Sequence, residues 1–221
     1  MAVVVSAGPP GAGKSAVLES MDLAGYRLID PDLAKDMVIG HALDAGLLEY
    51  RRRFMLPDGD SVHPRELAPH VHQQSTRLAD LVRQLSLASG ENVIIDGTLA
   101  WEPLGDQYIS ELYKAGYEQL DVIAIELQQA VAIERATRRW WVGREDARGF
   151  VADSAGPLGG RFVPEEAIAR CYSNGGRDSL CSINARRLAE RAADELGRGS
   201  FQRYVVNDPD ATPRPVPTTN T

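Results

Sequence analysis

Short runs of apolar residues alternate along the chain with longer segments in which apolar residues recur at helical spacing. The short runs are rich in Val and Ile, and they predict β-strands at Ala2–Ala7, Tyr26–Ile29, Asn92–Ile95, Gln119–Ile125 and Phe201–Val206. The longer segments predict helices at Lys14–Leu23, Leu33–Leu48, Arg65–Ala88, Pro103–Ala115, Gln128–Trp140, Glu165–Ser173 and Ser179–Leu196. This alternation is typical of an α/β fold, here a parallel sheet of about five strands flanked by helices.

Glycine or acidic residues come directly after the first three predicted strands. These residues are Gly8, Asp30 and Asp96. Because the carboxyl ends of parallel strands meet at one edge of the sheet, and open α/β folds bind ligands there, we expect the functional site at this edge.

Two segments show neither the apolar runs of strands nor the helical spacing of apolar residues. Residues 143–160 combine glycines, a proline and mixed charges between two predicted helices, so we expect a lid over about 141–163. From Asn207 onward the chain is rich in Pro, Thr and Asn, which predicts a disordered tail over 207–221. The sequence therefore predicts a single domain at residues 1–206.

Composition and charge narrow the class of protein. The chain has 221 residues, of which 43% are hydrophobic and 25% are charged, as in an ordinary globular protein. Its net charge of −7 argues against a nucleic-acid binder. Cys171 and Cys181 have no metal-ligand pattern around them, so we expect unpaired thiols. No apolar stretch approaches the roughly 20 residues of a membrane span. We expect a cytoplasmic protein.

A phosphate-binding loop is the strongest motif in the chain. The residues Gly8-Pro-Pro-Gly11-Ala12-Gly13-Lys14-Ser15 match the pattern G-x-x-x-x-G-K-[ST] between a predicted strand and a predicted helix. The glycines let backbone N–H groups point at phosphate oxygens, Lys14 reaches the β- and γ-phosphates, and Ser15 places a hydroxyl on Mg²⁺. The loop therefore predicts a nucleoside triphosphate, ATP, bound with Mg²⁺.

Two acidic residues are candidates for phosphoryl-transfer chemistry. A kinase needs a carboxylate near the acceptor hydroxyl, and Asp32 meets this need if the second strand lies beside the first. The alternative role for Asp32 is the N-cap of the helix at Leu33, and the two roles are compatible. Asp96 has the form of a carboxylate beside Mg²⁺, with a plain strand-end turn as the alternative. Gly97 allows a ligand to approach the next residue, Thr98.

Arginines around the predicted lid are candidates for neutralising the transferred phosphate. They are Arg138, Arg139, Arg144, Arg148 and Arg161. The alternative is that several of them are solvated surface residues. Arg161 is distinguished by its position between Gly159-Gly160 and the helix start at Val163-Pro164, which fixes where its side chain begins.

Taken together, these motifs resemble the zeta toxins, the kinase components of bacterial toxin–antitoxin pairs. The resemblance runs from about Val3 to Ile168. It is carried by the phosphate loop, Ile29-Asp-Pro-Asp32, Ile94-Ile-Asp-Gly-Thr98, Gly116-Tyr117 and Arg161-Phe-Val-Pro164. It implies a P-loop kinase fold, phosphorylation of an amino-sugar hydroxyl of UDP-N-acetylglucosamine, and an antitoxin as partner.

The resemblance also implies roles for individual residues. Asp32 corresponds to the general base, and Asp80 and Thr98 fall at positions that hold the acceptor. Asp96, in the same Asp-Gly-Thr element as Thr98, is a further candidate for binding the substrate. Arg138 and Arg161 correspond to the arginines that bind the triphosphate, with Arg135 or Arg139 as the alternative to Arg138.

One position departs from the family pattern. Family members often carry an arginine two residues after the threonine, where this chain has Ala100. Either another arginine substitutes, with Arg51–Arg53 as a candidate run, or the acceptor differs. The alternative for the Arg51–Arg53 run is a solvated helix end. The alternatives are therefore a kinase of an antibiotic or nucleoside, as in the chloramphenicol phosphotransferases, and a nucleotide-gated regulatory module without transfer chemistry.

Overall fold

A computed structural model describes residues 1–150, 156–173 and 178–217 of the chain. Its β-strands are β1 (Val3–Ala7), β2 (Arg27–Ile29), β3 (Val93–Asp96), β4 (Gln119–Leu127), β5 (Arg198–Val206) and β6 (Arg214–Pro215). Its α-helices are α1 (Lys14–Glu19), α2 (Pro31–Asp44), α3 (His72–Ala88), α4 (Pro103–Lys114), α5 (Gln129–Asp146), α6 (Glu165–Ala169) and α7 (Leu180–Glu195). Two 3₁₀ segments span Glu49–Arg53 and Pro64–Val71.

The strands form one six-stranded sheet in the order β2-β3-β1-β4-β5-β6. The first five strands in this order are parallel, which confirms the predicted α/β sheet, and β6 is antiparallel to β5. β6 lies within the segment for which composition predicts disorder. Its Arg214 and Pro215 pair instead with Val205 and Tyr204, and the proline is tolerated because β6 is an edge strand.

The central strands are buried because helices cover a parallel sheet. Val3, Val4 and Val5 of β1 are at most 2% exposed. On one side, α7 packs so closely that a Cβ atom at Gly199 of β5 would lie 2.1 Å from the carbonyl oxygen of Ala189. Small residues at this contact therefore set the distance between helix and sheet.

The contacts of the chain divide into two compact units. The first comprises residues 1–30, 81–134 and 165–221 and contains the sheet, and the second comprises residues 31–80 and 135–164. The single domain predicted at residues 1–206 would contain both units, and it stays a prediction.

Several element boundaries differ from the predicted ones. The helix predicted over Arg65–Ala88 is a 3₁₀ segment up to Val71 and an α-helix only from His72, because Pro69 cannot donate a helical hydrogen bond. Helix α5 continues to Asp146, so the first residues of the predicted lid are helical. Lid residues 151–155 lie outside the described residues. Both cysteines are free and buried, as expected. Among the described residues, no helix has the length and apolar character of a membrane span.

A buried arginine organises the second unit. Arg144 is 1% exposed, and it donates to both carboxylate oxygens of Asp58 at 2.6 and 2.8 Å and to Glu66 at 3.0 Å. Trp140 also donates to Glu66, at 2.7 Å. The guanidinium holds the pKa of the Asp58 carboxyl well below its usual range. Arg144 is therefore a structural residue of this unit, and the predicted role of a solvated or phosphate-binding arginine is wrong for it.

We predict that Arg144→Leu destabilises the protein by about 3 kcal/mol, because it leaves buried carboxylates without their cation. Chemical denaturation followed by circular dichroism measures this change. Arg148→Leu is the matched control, since Arg148 is 50% exposed and reaches Asp58 only at 3.3 Å. Equal effects of the two substitutions would contradict the assignment.

The same interaction predicts a pH dependence of stability. Because the pKa of Asp58 is lowered on folding, its stabilising contribution is complete above the unfolded value of about 3.9. It is lost as the pH falls through the folded pKa. Acid titration of wild type and Arg144→Leu should therefore show a smaller loss of stability on acidification in the variant.

Candidate functional site

The phosphate-binding loop connects β1 to α1 in the conformation that its glycines require. Gly11 and Gly13 have φ angles of 85° and 86°, which are left-handed values that glycine adopts without strain. A Cβ atom at Gly8 would lie 2.9 Å from the carbonyl oxygen of Ile125. Each of the three glycines therefore has a steric reason to be there.

Lys14 folds back over this loop. Its Nζ donates to the carbonyl oxygen of Gly8 at 3.2 Å, and the amide of Ala12 closes the turn by donating to Pro9 at 3.1 Å. Ser15 is exposed in the first turn of α1. The loop therefore combines the Lys14 ammonium group with the hydroxyl of the next residue, Ser15.

Asp96 is held next to the strand that leads into the phosphate loop. β3 pairs directly with β1, Ser6 lies opposite Asp96 in the register, and the Ser6 hydroxyl donates to the Asp96 carboxylate. The amide of Gly97 donates to the Ser6 carbonyl oxygen at 3.2 Å. Thr98 follows and is exposed.

The observed strand order does not meet the condition on which the role of Asp32 was predicted, namely that β2 lies beside β1. β2 pairs with β3, so β3 lies between β2 and β1, and the second strand is not beside the first. The carboxylate at the neighbouring strand end is therefore Asp96 rather than an acid after β2.

The donor set at the phosphate loop suits Mg²⁺ bound together with phosphates. Ser15 and Asp96 offer a hydroxyl and a carboxylate, the hard oxygen ligands that Mg²⁺ takes alongside nucleotide phosphates and water. In residues 1–150, 156–173 and 178–217, no cluster of three or more His, Cys, Asp or Glu forms a complete metal site. A magnesium ion here would depend on the nucleotide for its remaining ligands.

In the second unit, Asp32 and Arg161 form an ion pair. Arg161 contacts the Asp32 carboxylate through Nη1, and its Nη2 donates to the Asp32 carbonyl oxygen at 3.2 Å. Lys35 donates to the other carboxylate oxygen of Asp32 at 2.9 Å. The structure therefore brings together the predicted base and one predicted triphosphate arginine.

Asp36 and Arg65 extend this pair into a network. Asp36 accepts from Arg161 Nη2 at 3.1 Å and, through both carboxylate oxygens, from Arg65 at 2.9 and 2.8 Å. Arg65 also donates to the carbonyl oxygen of Gly159 at 3.1 Å. Neither Asp36 nor Arg65 was predicted from the sequence as a site residue. Asp36 could have been found, because it lies one helical turn after Asp32 on the same face of α2.

Two glycines place Arg161 against this network. A Cβ atom at Gly160 would lie 1.7 Å from the carbonyl oxygen of Trp140, and Gly159 has a φ of 89°. The buried Nε of Arg161 makes no hydrogen bond within the described part of the chain. The two glycines therefore fix the backbone at Arg161, and its Nε–H group remains able to donate a hydrogen bond.

The remaining predicted residues lie on helices. Arg138 is exposed on α5, and Asp80 is partly buried on α3. Both belong to the second unit or its boundary, and their predicted roles at the triphosphate and the acceptor stay predictions.

Comparison with known proteins shows which family this chain matches. The family model described as Zeta toxin matches residues 2–196. A curated relative, the calmodulin calcium-dependent NAD kinase of Arabidopsis thaliana, is 26% identical over 147 residues. That alignment covers 65% of this chain and 26% of the relative, so this chain spans about a quarter of the relative's length.

Solved structures share the fold. The AvrRxo1-ORF1:AvrRxo1-ORF2 complex with sulphate ions matches with a TM-score of 0.61 and 16% identity, covering 97% of this chain and 57% of the matched chain. The same complex with ATP also gives 0.61. The PezAT chromosomal toxin–antitoxin system of Streptococcus pneumoniae matches with a TM-score of 0.56 and 12% identity, covering 96% of this chain and 68% of that chain.

The geometry of the phosphate loop predicts the effect of removing its ammonium group. Lys14→Met should weaken ATP binding by about ten- to a hundredfold, because it deletes a charge-assisted hydrogen bond to phosphate. Isothermal titration calorimetry with a non-hydrolysable ATP analogue measures the affinity. Lys114→Met, at the exposed end of α4, is the control and should bind as wild type does. Equal affinities for Lys14→Met and wild type would contradict the assignment.

Proposed function

This chain belongs to the zeta toxin family, and from that premise we propose that it is an ATP-dependent kinase that phosphorylates a hydroxyl of a nucleotide-linked sugar. The observation that carries the proposal is the phosphate loop, which Lys14 closes on Gly8 and which Ser6 joins to the Asp96–Thr98 segment. A regulatory module that only binds a nucleotide has no need of the carboxylate and arginine pair in the second unit.

The proposed roles at the nucleotide follow from charge. The loop amides and Lys14 bind the β- and γ-phosphates, and Ser15 and Asp96 hold the magnesium ion, which neutralises charge on the phosphate oxygens when bound. Arg138 and Arg161 contribute further positive charge to the triphosphate, as the family resemblance implies.

Asp32 is the proposed general base. In transfer, the acceptor oxygen gives its proton to the Asp32 carboxylate, a bond forms between that oxygen and the γ-phosphorus, and the bond from the γ-phosphorus to the ADP oxygen breaks. Arg161 and Lys35 occupy both carboxylate oxygens of Asp32. In the proposed reaction Arg161 exchanges Asp32 for phosphate oxygens, which frees a carboxylate oxygen of Asp32 for the proton, and Asp36 keeps the arginine close by meanwhile.

The first candidate acceptor is UDP-N-acetylglucosamine, with Asp80 and Thr98 holding the sugar. This assignment rests on the resemblance of the motifs to the zeta toxins. It is weakened by Ala100, which stands where the family often has an arginine near the substrate.

The second candidate acceptor is NAD, and the similarity to a plant NAD kinase favours it. NAD also presents sugar hydroxyls joined to a diphosphate, so the two candidates share the same chemical class. An acceptor whose anionic group lies elsewhere in the site would not need the arginine that Ala100 replaces.

A protein partner is part of the proposal. Two of the similar structures are of a toxin–antitoxin system and of a complex between the products of two open reading frames. We infer that this chain also acts under the control of an antitoxin, whose co-expression should relieve any toxicity.

The acceptor is identified by incubating the protein with ATP and Mg²⁺ and measuring ADP and product mass. The panel holds UDP-N-acetylglucosamine, other UDP-sugars, NAD, nucleosides, and aminoglycoside or chloramphenicol-type antibiotics. A single added phosphate on a UDP-amino-sugar supports the first candidate, and on NAD the second. Phosphorylation of an antibiotic or nucleoside alone would overturn the nucleotide-linked acceptor.

We predict that Asp32→Asn lowers kcat by about 10²- to 10⁴-fold, because the amide cannot accept the proton. The KM for ATP should change little. Asp44→Asn, at the exposed end of the same helix, is the matched control. Unchanged turnover in Asp32→Asn would remove Asp32 from its assigned role.

A further inference from the structure

The loop that carries Thr98 contains an unusual backbone conformation. Leu99 has a φ of 54°, and in residues 1–150, 156–173 and 178–217 it is the only residue other than glycine with a positive φ. Leucine is disfavoured in this left-handed region because its Cβ crowds the following carbonyl group. Its side chain is nevertheless buried, at 2% exposed. Such a conformation persists only where surrounding contacts impose it, and it is common at functional sites.

The contact that imposes it comes from a distant helix. Asn184 of α7 donates from Nδ2 to the carbonyl oxygens of Leu99 at 2.9 Å and of Ala100 at 3.1 Å. Both hydrogens of the side-chain amide are therefore used on consecutive carbonyl groups of the loop. Within the loop itself, the amide of Ala100 donates to the Thr98 hydroxyl oxygen at 3.5 Å, a longer contact than either bond from Asn184.

Asn184 is a buried residue of α7 that carries a side-chain amide. It is 7% exposed and lies among buried residues of the same helix, Cys181, Ala185 and Leu188. Burying an amide in such surroundings costs free energy unless its hydrogen bonds are made, so an apolar residue would serve simple packing better. The two hydrogen bonds to the loop are the specific contribution of the asparagine.

The loop is held at its other end by β1. The Ser6 hydroxyl donates to Asp96, and the amide of Gly97 donates to the Ser6 carbonyl oxygen at 3.2 Å. Thr98 thus lies between two fixed points, Ser6 and Asn184, and its side chain is exposed between them. This is the arrangement expected for a residue whose hydroxyl must meet a ligand in one orientation.

We propose that Asn184 is a positioning residue that fixes Thr98 for the acceptor by clamping the left-handed turn at Leu99. The effect on the acceptor rests on the proposed kinase function, whereas the effect on the loop does not. Asn184 touches neither substrate in this account and acts only through the loop.

Two substitutions separate the hydrogen bonds from packing. Asn184→Leu keeps a side chain of similar size and removes both donors, and Asn184→Ala removes the side chain as well. Ser182→Ala is the matched control, because Ser182 is a buried polar residue of the same helix that bonds to Ser179.

The first readout is amide hydrogen exchange followed by mass spectrometry, which needs no acceptor. In Asn184→Leu, peptides covering residues 96–101 should exchange faster than in wild type, while peptides covering the phosphate loop at 8–15 should not. Ser182→Ala should leave both regions unchanged. Unchanged exchange at 96–101 in both Asn184 variants would overturn the proposal, as would a uniform rise across the whole chain.

The second readout is steady-state kinetics with the acceptor found above. The KM for the acceptor should rise by about ten- to a hundredfold in Asn184→Leu, since small displacements of a positioning group are costly. The KM for ATP should stay within about twofold of wild type. A fall in kcat with the acceptor KM unchanged would overturn the role in acceptor positioning. If wild type phosphorylates no acceptor, the proposed function fails, and the exchange result still decides whether Asn184 clamps the loop.

Discussion

The parallel pairing of β1 with β3 is the constraint on which the candidate nucleotide site depends. It places Ser6 opposite Asp96, so one serine connects the strand that enters the phosphate loop to the strand that enters the Thr98 loop. Parallel strands end at the same edge of a sheet, and the pairing therefore brings a phosphate-binding turn and a carboxylate together without any direct contact between distant loops. Beyond these strand ends, the positive φ angles of Gly11 and Gly13 shape the phosphate loop, and the hydrogen bond from Asn184 to Leu99 shapes the Thr98 loop.

In the second unit, charge rather than sheet geometry arranges the candidate residues. Arg161 and Arg65 share Asp36, while Asp32 binds Arg161 and Lys35, so each of the two carboxylates is matched to two cations. Such a network fixes its side chains through several charge-assisted hydrogen bonds at once. The separate network around Arg144 is buried and has no such freedom, which is why we assign it to stability.

Much of the fold and part of the site could be predicted from the chain's own pattern. The apolar runs gave five strands close to their observed bounds, and the phosphate loop was found because its glycines and Lys14 are close in sequence. Strand order was not predictable in this way: the condition that β2 lies beside β1 is not met, because apolar runs carry no information on which strand pairs with which. β6 was missed because a two-residue edge strand has no periodicity.

The sequence by itself thus determined the class of fold, the phosphate loop and the family motifs, since each of these depends on residues that are neighbours along the chain. Tertiary structure alone decided which residues surround the motifs. Asn184 meets Leu99 across 85 positions and Arg65 meets Gly159 across 94, and a buried Arg144 cannot be told from an exposed Arg148 by sequence. The physical reason is that hydrogen bonds and burial are fixed by packing between elements, which local propensity and spacing do not encode.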